Sequence, residues 1–504
     1  MKTKGALSVR NLLTSQVILC NLPVLILVVV ASLDAADKAL LGSSFPLLER
    51  ELHMDVETLG YFSMFTNLSY AFSMPLWGWL VHKYGMQQIH LVLSAACFSW
   101  GAATIGIALS GGSVVGQAIF RSLNGMALGS ILPLSQTMLV SMVAPVMRGR
   151  AFGYMGMCEN LAGTVAASSI VYFEDWKRSY YVLGFLSVAM ALIAKHELTP
   201  GKRAKAVTKD ASGKVHDSDE DDSDAKDEDE AQKQASDEPK LTVRQILQRI
   251  AQIPAFVCLV AQGVFGGIPW DMMSFVLLLM DWRQFTKEQI VALQFATGIA
   301  GTFGKWLGGS LGDFAFSRWG NQGRIGVAFV SVMAGIPLYG MFCFAKTYWA
   351  AFLYKILFQI VASWPPAGAL RPICADLARN PSERAQIVSL WIVMEKTSGS
   401  IFGAPLVGYL TSHMMAMEEN NNDIGLRDEA ELSGKANALA LNLFGLSTFF
   451  WVVCAAFWVG MSFTIDRDLK GKETQLTTTA HRRQNEAGGA KDGDELRKPL
   501  LASV

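Results

Sequence analysis

Apolar stretches long enough to cross a membrane recur along the whole chain, separated by short polar breaks. A membrane-spanning helix needs about 20 mostly apolar residues, and we number the stretches that meet this requirement spans 1 to 12. They lie at 18–45, 58–82, 89–110, 113–143, 150–173, 178–197, 253–280, 288–313, 325–345, 348–378, 385–413 and 437–464. The pattern predicts an all-α integral membrane protein with twelve transmembrane helices.

Composition agrees with this interpretation and excludes several classes of protein. Of 504 residues, 51% are apolar and 17% are charged, whereas soluble domains are about 25% charged. The formal net charge of zero argues against a nucleic-acid-binding protein, whose affinity rests on a basic surface. The seven cysteines follow neither a disulfide framework nor a metal-ligand spacing. We therefore expect no metal and no cofactor.

Basic residues in the short loops predict the orientation of the chain. Lys and Arg concentrate near the N-terminus and after the even-numbered spans, at Lys83, Arg148, Arg150, Lys195, Lys202, Arg318, Arg324, Arg379, Arg384, Lys470 and Lys472. Such loops face the cytosol. Residues 1–17 are thus expected to form a cytosolic tail, and span 1, which lacks a small-residue cleavage site, to remain in the protein. With an even number of spans, both termini are expected in the cytosol.

A polar segment divides the spans six plus six. Between residues 210 and 239 the chain carries thirteen acidic and three basic side chains, and such a composition cannot bury enough apolar surface to fold. We expect 198–252 to be an acidic, disordered cytosolic linker between the six-helix bundles 18–197 and 253–465. The polar segment 466–504 is expected to be a disordered cytosolic tail.

The two halves repeat each other at an offset of about 231–236 residues. In the loop after span 2, the stretch from Gly78 to Gly85 corresponds to Gly309–Asp313 after span 8, which continues to Arg318. In the loop after span 4, Pro145–Arg148 corresponds to Pro381–Arg384. The sequence therefore predicts two parallel six-helix halves.

At these motifs, residues 20–465 resemble the major facilitator superfamily of secondary transporters. The second copy keeps the Gly, Leu and Asp of that family's loop motif at Gly309, Leu311 and Asp313, whereas the first has His82 at the Asp position. Asp37-Lys38 and the stretch that begins at Arg148 look similar to spinster-like transporters and to plant and algal relatives. The resemblance implies two pseudo-symmetric bundles, with cytosolic gating motifs at Gly78, Gly85, Arg148, Arg150, Gly309, Asp313, Arg318 and Arg384.

Ionisable side chains within the spans are the candidate site. Such a group costs at least about 2.5–3.5 kcal/mol at the bilayer centre and normally faces the bundle interior. The repeat relates Asp37 to Asp271, Arg121 to Lys355 and Glu159 to Glu395, and Lys38 lies beside the first of them. In the family that the chain resembles, spans 1, 4, 7 and 10 surround a central cavity, with 5 and 11 close by. We expect these seven residues to bind substrate or protons at the midplane.

Structural roles are the alternative for each of these charges. Arg121 and Lys355 could form ion pairs with neighbouring helices. Asp37 and Lys38 could lie at the interface, where long side chains snorkel to water. Glu159 and Glu395 could pair with Lys396.

The expected function is transmembrane transport of a small organic solute by alternating access. No Gly-x-x-x-x-Gly-Lys-Ser/Thr motif and no nucleophile–base spacing occur, so we expect gradient-driven or facilitative transport and no enzyme activity. The substrate is expected to be charged or amphipathic and lipid-like, and proton symport is a hypothesis based on the intramembrane carboxylates. The expected protein is a monomer in the plasma membrane or a vacuolar or endolysosomal membrane. The alternative is a transceptor or scaffold that signals through its linker and tail.

Overall fold

The computed structural model describes residues 21–143, 148–202, 252–377, 381–421 and 428–495, and places helices over each of the twelve spans. Spans 1 to 6 correspond to Leu22–Leu52, Val56–Ser110 (spans 2 and 3), Val114–Leu128 with Ile131–Met142, Arg148–Phe173 and Trp176–Glu197. Spans 7 to 9 correspond to Pro254–Met272 with Val276–Trp282, Lys287–Trp319 and Asn321–Cys343. Spans 10 to 12 correspond to Tyr348–Ala362 with Arg371–Leu377, Pro381–Phe402 with Ala404–Asn421, and Asp428–Glu495. Most of the predicted linker, 203–251, lies outside the described residues.

Five of the described helical segments are long and apolar enough by themselves to cross a membrane. They are Gln88–Ser110, Trp176–Glu197, Pro254–Trp282, Asn321–Cys343 and Leu432–Lys470. The remaining spans are interrupted or carry more polar residues. Span 10, for example, passes through a π-helical turn at Pro366–Leu370, because the two consecutive prolines there lack the N–H groups that an α-helix needs.

Helical backbone runs without a gap from Val56 to Ser110, through both span 2 and span 3, although the sequence predicts a loop between them. The Lys38 ammonium lies 4.6 Å from the ring centroid of Tyr70, and the Trp100 indole donates a hydrogen bond of 2.8 Å to Asp37. A straight helix would separate Tyr70 from Trp100 by about 45 Å, which neighbouring residues of span 1 cannot bridge. The chain must therefore reverse its direction between Tyr70 and Trp100.

The hydrophobic core joins the two halves at one face of the bundle and leaves them separate at the other. We call the face with the loops after odd-numbered spans the outer face, and the opposite one the inner face. The largest cluster of buried side chains combines Phe62 and Tyr180 of the first half with Phe275 and Trp451 of the second. The two further clusters, around Trp100 and around Trp458, each belong to one half. The halves thus share one core toward the outer face only.

Polar contacts close the outer face across the same boundary. Lys287 of the second half forms an ion pair of 2.8 Å with Glu174 of the first, and Arg50 is paired with Asp281. In the parts of the chain that the structure describes, ion pairs between the halves occur at this face alone. Among the described residues, the contacts between the halves therefore concentrate at the outer face, opposite the face that the sequence predicts to be cytosolic.

The helix of span 12 continues to Glu495, well past the point where the sequence predicts a disordered tail. Residues 466–495 contain many Lys, Glu, Gln, Arg and Ala, which are good helix formers. At its start this extension also contacts the bundle, because the Asp468 carboxylate accepts a hydrogen bond of 2.8 Å from the backbone N–H of Ala255. That contact caps the first turn of span 7.

Candidate functional site

A cavity of about 420 Å³ lies between the halves, and we call it cavity 1. Spans 1, 2, 4 and 6 form one wall, and spans 7 and 11 form the other. Its polar and aromatic lining consists of Asp37, Lys38, Ser43, Ser63, Thr66, Asn67, Tyr70, Arg121, Asn124, Tyr180, Trp270, Asp271, Ser274 and Lys396. Four of the seven site residues that the sequence predicts, Asp37, Lys38, Arg121 and Asp271, meet in this cavity.

Arg121 is a buried cation without a carboxylate partner among the described residues. The side chain is 1% exposed. It donates hydrogen bonds of 3.1 Å to Gln117 and 3.2 Å to the Tyr180 hydroxyl, and its guanidinium lies over the Phe62 and Tyr180 rings. The second terminal nitrogen, Nη2, is buried and has no described acceptor. All these partners are neutral, so the positive charge of Arg121 is left uncompensated.

Asp271 forms the opposite wall together with Lys396. The Lys396 ammonium lies 3.6 Å from Oδ1 of Asp271, which links span 11 to span 7. Asp271 follows Pro269, which lies inside the last turns of its helix, and the chain passes through a 3₁₀ turn at Met273–Phe275. Proline removes one backbone hydrogen bond of the helix. The helix of span 7 is thus irregular where it presents its carboxylate to the cavity.

Asp37 binds neutral donors on two other spans. Trp100 and Thr104 of span 3 each donate a hydrogen bond of 2.8 Å to Oδ2, and Asn124 of span 4 donates one of 3.1 Å to Oδ1. The residue is buried, with 5% of its surface exposed. Asp37 therefore ties spans 1, 3 and 4 together, while Asp271, its counterpart in the repeat, faces a cation.

Lys38 is held by its own helix. Its ammonium lies 2.7 Å from Oδ2 of Asp34, one turn earlier on span 1, and lies over the ring of Tyr70. Asp34 is buried at 8% exposure, whereas the Lys38 side chain is 40% exposed. An ion pair at positions i and i+4 is a local arrangement that helix geometry favours. Lys38 thus borders cavity 1 with its charge already balanced.

A second cavity of about 510 Å³ lies on the other side of span 1, between spans 1, 5, 7, 8 and 10. We call it cavity 2. It contains Glu159 and Lys355, which the sequence predicts as site residues, and also Lys305. Ala39, Met273 and Leu277 line both cavities and form the wall between them. The repeat-related cations Arg121 and Lys355 therefore line different cavities.

Glu395 lines neither cavity and packs against span 7. A Cβ on Gly267 would lie 2.4 Å from its side chain, so the absence of a side chain at Gly267 makes room for the carboxylate. Among the described residues, Lys396 forms its ion pair with Asp271. It does not pair with a glutamate, which was the alternative that the sequence offered. Lys396 is the charge that the sequence reading left out of the site, although its position within a span signals it.

The gating motif of the second half forms a charged cluster at the inner face. The guanidinium of Arg324 lies 3.6 Å from Asp313 and 3.4 Å from Asp376, and 4.0 Å above the Phe316 ring. Gly309 lies on the same helix as Asp313, and Arg318 lies exposed in its last turn. The surroundings of Gly78, Gly85, Arg148, Arg150 and Arg384 lie outside what the structure describes.

Metal-ligating side chains are not clustered in the described ranges. No three His, Cys, Asp or Glu side chains come together there as a metal site would require.

Comparison with known proteins assigns the fold to a family. The family model described as Major Facilitator Superfamily matches residues 27–404. The chain belongs to this superfamily. The resemblance inferred from the motifs is confirmed, and the protein is an integral membrane protein whose relatives are transporters and not enzymes.

Curated superfamily relatives are distant. The probable sulfoacetate transporter SauU of Cupriavidus necator is 25% identical over 296 residues, which is 56% of this chain and 63% of SauU. An uncharacterized MFS-type transporter, YhcA of Bacillus subtilis, is 23% identical over 34% of this chain and 32% of YhcA. The chain thus spans less than two thirds of the length of these relatives.

Solved superfamily structures share the whole fold. A bacterial homolog of the human lysosomal transporter Spinster, inward-facing and occupied, superposes with a TM-score of 0.68 at 17% identity, covering 88% of this chain and 97% of that one. The xylose transporter XylE of E. coli in an inward-open conformation gives 0.57 at 12% identity, covering 85% and 94%. These similarities establish the fold alone.

Proposed function

We propose that this protein transports a small organic anion by alternating access, with Arg121 binding the anionic group in cavity 1. The coarser activity, membrane transport of a small molecule, follows from the family. The charge of the substrate is inferred from Arg121, and this is the observation that carries the proposal.

A buried cation without a counter-charge is costly, because its hydration is lost and nothing replaces it. Arg121 is 1% exposed, its described hydrogen-bond acceptors are a neutral amide and a neutral hydroxyl, and Nη2 has none. Planar guanidinium groups bind carboxylate, sulfonate and phosphate groups with paired hydrogen bonds. A substrate anion would therefore supply the charge and the acceptors that this site lacks.

The rest of cavity 1 favours a small substrate. Its volume of about 420 Å³ fits a compact organic acid, and Trp270 and Tyr70 provide apolar surface for a short carbon skeleton. One relative is named a probable sulfoacetate transporter, and sulfoacetate is a compact organic anion. That name supports the same class of substrate for this chain.

Proton coupling is the second part of the proposal. Asp271 of span 7 and Lys396 of span 11 are 3.6 Å apart beside the cavity, longer than a typical charge-assisted hydrogen bond of about 2.7–2.9 Å. Protonation of Asp271 would leave Lys396 without its counter-charge and so favour anion binding nearby. Uptake of a proton with the substrate would then be thermodynamically coupled.

The transport cycle would move the two bundles against each other. Opening the outer face requires breaking the contacts of Lys287 with Glu174 and of Arg50 with Asp281, while the inner ends of the bundles approach. The positive inner loops support a cytosolic inner face, cytosolic termini, and a location in the plasma membrane or a vacuolar or endolysosomal membrane. A spinster-like monomer is the form that the motifs support.

Uptake into proteoliposomes tests the anion site. Purified protein is reconstituted, and uptake of sulfoacetate and of other labelled two- to four-carbon organic acids is compared with that of a neutral sugar. We expect uptake of at least one acid, a loss of about 10–100-fold in kcat/KM for Arg121→Gln, and a smaller loss for Arg121→Lys, which keeps the charge. Lys346→Met, an exposed lysine outside both cavities, is the matched control. Acid uptake that is equal in Arg121→Gln and wild type would refute the anion site.

Proton coupling is tested on the same vesicles with an imposed pH gradient. We expect an inward proton gradient to accelerate uptake in the wild type, and Asp271→Asn to remove that acceleration. If the uptake rate of the wild type is the same with and without the pH gradient, transport is facilitative.

A further inference from the structure

Cavity 2 contains polar donors that the protein itself does not satisfy. Lys355 on span 10 is 7% exposed, and no hydrogen bond or ion pair to its ammonium is found among the described residues. On span 8, Gln294 Nε2 and Thr297 Oγ1 are buried without hydrogen-bond partners. Buried polar groups are normally paired, so three unpaired groups beside one cavity indicate a missing partner.

Aromatic rings partly offset the unfavourable free energy of burying the Lys355 ammonium. Its ammonium lies 4.9 Å from the ring centroid of Phe342, 5.2 Å from that of Phe358 and 5.9 Å from that of Tyr339. Ring faces attract cations, and more strongly where water is excluded. They supply neither an acceptor atom nor a negative charge. The ammonium is therefore oriented by the rings and still free to bind an anion.

The three residues line the same cavity from two spans. Gln294 and Thr297 are three residues apart on one helix and so share a face. The Oε1 atom of Gln294 accepts a hydrogen bond of 3.1 Å from Ser168 of span 5, which leaves the amide N–H₂ as the unpaired end. Lys355 approaches from span 10.

The charge of cavity 2 is positive. The ionisable groups in its lining are two lysines, Lys305 and Lys355, and one glutamate, Glu159. In the described part of the chain, no ion pair joins this carboxylate to either lysine. We infer that cavity 2 is a second anion-binding site, separate from cavity 1, in which Lys355, Gln294 and Thr297 bind a carboxylate or phosphate group.

Span 5 of the first half borders this site. Asn160 of span 5 donates hydrogen bonds of 2.9 Å to the carbonyl of Gly298 and 2.7 Å to the Thr302 hydroxyl of span 8, so spans 5 and 8 touch beside the cavity. Lys355, Gln294 and Thr297 themselves all belong to the second half, so the anion would be held by that half.

Phosphate binding to the Arg121→Gln variant tests the inference, because this variant lacks the Arg121 cation of cavity 1. Full-length protein in detergent is titrated with inorganic phosphate against sodium chloride of equal ionic strength, and thermal unfolding is monitored. We expect a saturable rise in Tm with phosphate. Adding Lys355→Met should abolish the rise, Lys355→Arg should keep it, and Lys346→Met should leave it unchanged.

Two results would overturn the second site: no saturable response in the Arg121→Gln background, or the same response with and without Lys355→Met. Should Lys355→Met not fold, Gln294→Leu decides instead, since it removes an uncharged donor of the same site. We expect it to weaken phosphate binding several-fold, and unchanged binding would count against the site. Because the titration needs neither Arg121 nor transport, its failure is distinguishable from failure of the proposed function.

Discussion

Gly399 on span 11 seats the Asp271 carboxylate of span 7: a Cβ on Gly399 would lie 2.2 Å from Oδ2 of Asp271. One turn later, a Cβ on Gly403 would lie 2.8 Å from Cβ of Asp271. Both distances are far shorter than a van der Waals contact. Two glycines thus let span 7 bring its charged residue directly against span 11, within reach of Lys396.

Replacing Gly399 by Ala should displace Asp271 and weaken its ion pair with Lys396. We expect transport in proteoliposomes to fall about tenfold, with less stimulation by a pH gradient, while the protein still folds. Gly445→Ala on span 12 is the matched control, because nothing lies within 4 Å of a Cβ there. Wild-type uptake and pH dependence in Gly399→Ala would show that the position of Asp271 does not matter for transport.

Asp37 should prove important for stability. In Asp37→Asn, an amide N–H₂ replaces an oxygen that accepts hydrogen bonds, and faces donors from Trp100, Thr104 or Asn124. Leaving buried donors unpaired costs about 1–3 kcal/mol, so we expect a clearly lower Tm in detergent. Asp313→Asn, whose side chain is 80% exposed, should change Tm little. Equal melting temperatures for Asp37→Asn and wild type would contradict the role of the hydrogen-bond network.

The ion pair of Arg50 with Asp281 should bias the conformational equilibrium of the outer face. Because Arg50 is half exposed, the pair is worth about 0.2–1 kcal/mol, a shift of up to about fivefold in population. Arg50→Asp should therefore populate longer distances between spin labels on Arg178 and Lys346, one in each half. The exchange Arg50→Asp with Asp281→Arg should restore the short distances, and a failure to do so would show that the pair does not hold this face closed.

Arg324 should affect movement of the bundles more than substrate binding. Its guanidinium joins Asp313 of span 8 to Asp376 of span 10, at a distance from both cavities along the helices. We expect Arg324→Gln to lower the maximal transport rate several-fold with little change in the Kd of the transported acid. Arg318→Gln, which changes an exposed arginine on the helix of Asp313, should have a smaller effect. A large change in Kd with an unchanged rate would be evidence against a gating role.

Much of the architecture could be predicted from the sequence. Lipid forces each spanning segment to satisfy its backbone internally, so apolar stretches of sufficient length report helices directly, and the twelve predicted spans all coincide with helices. The repeat of Gly78–Gly85 in Gly309–Asp313 indicated two similar halves, and the family model confirms the superfamily. The helical backbone across the polar break between spans 2 and 3 was not predictable in this way, because composition marks such a break without deciding whether the residues there stay helical as the chain reverses direction.

The sequence by itself determined which charges enter the membrane, because each interrupts an apolar stretch, and the repeat related them in pairs. Only the tertiary structure decided how each charge is balanced, because a partner is chosen by proximity in space. Asp37 meets Trp100 from a distant span, Asp271 meets Lys396, and Arg121 and Lys355 meet rings and neutral groups. Those last two cations, related by the repeat and separated by the wall of spans 1 and 7, line different cavities.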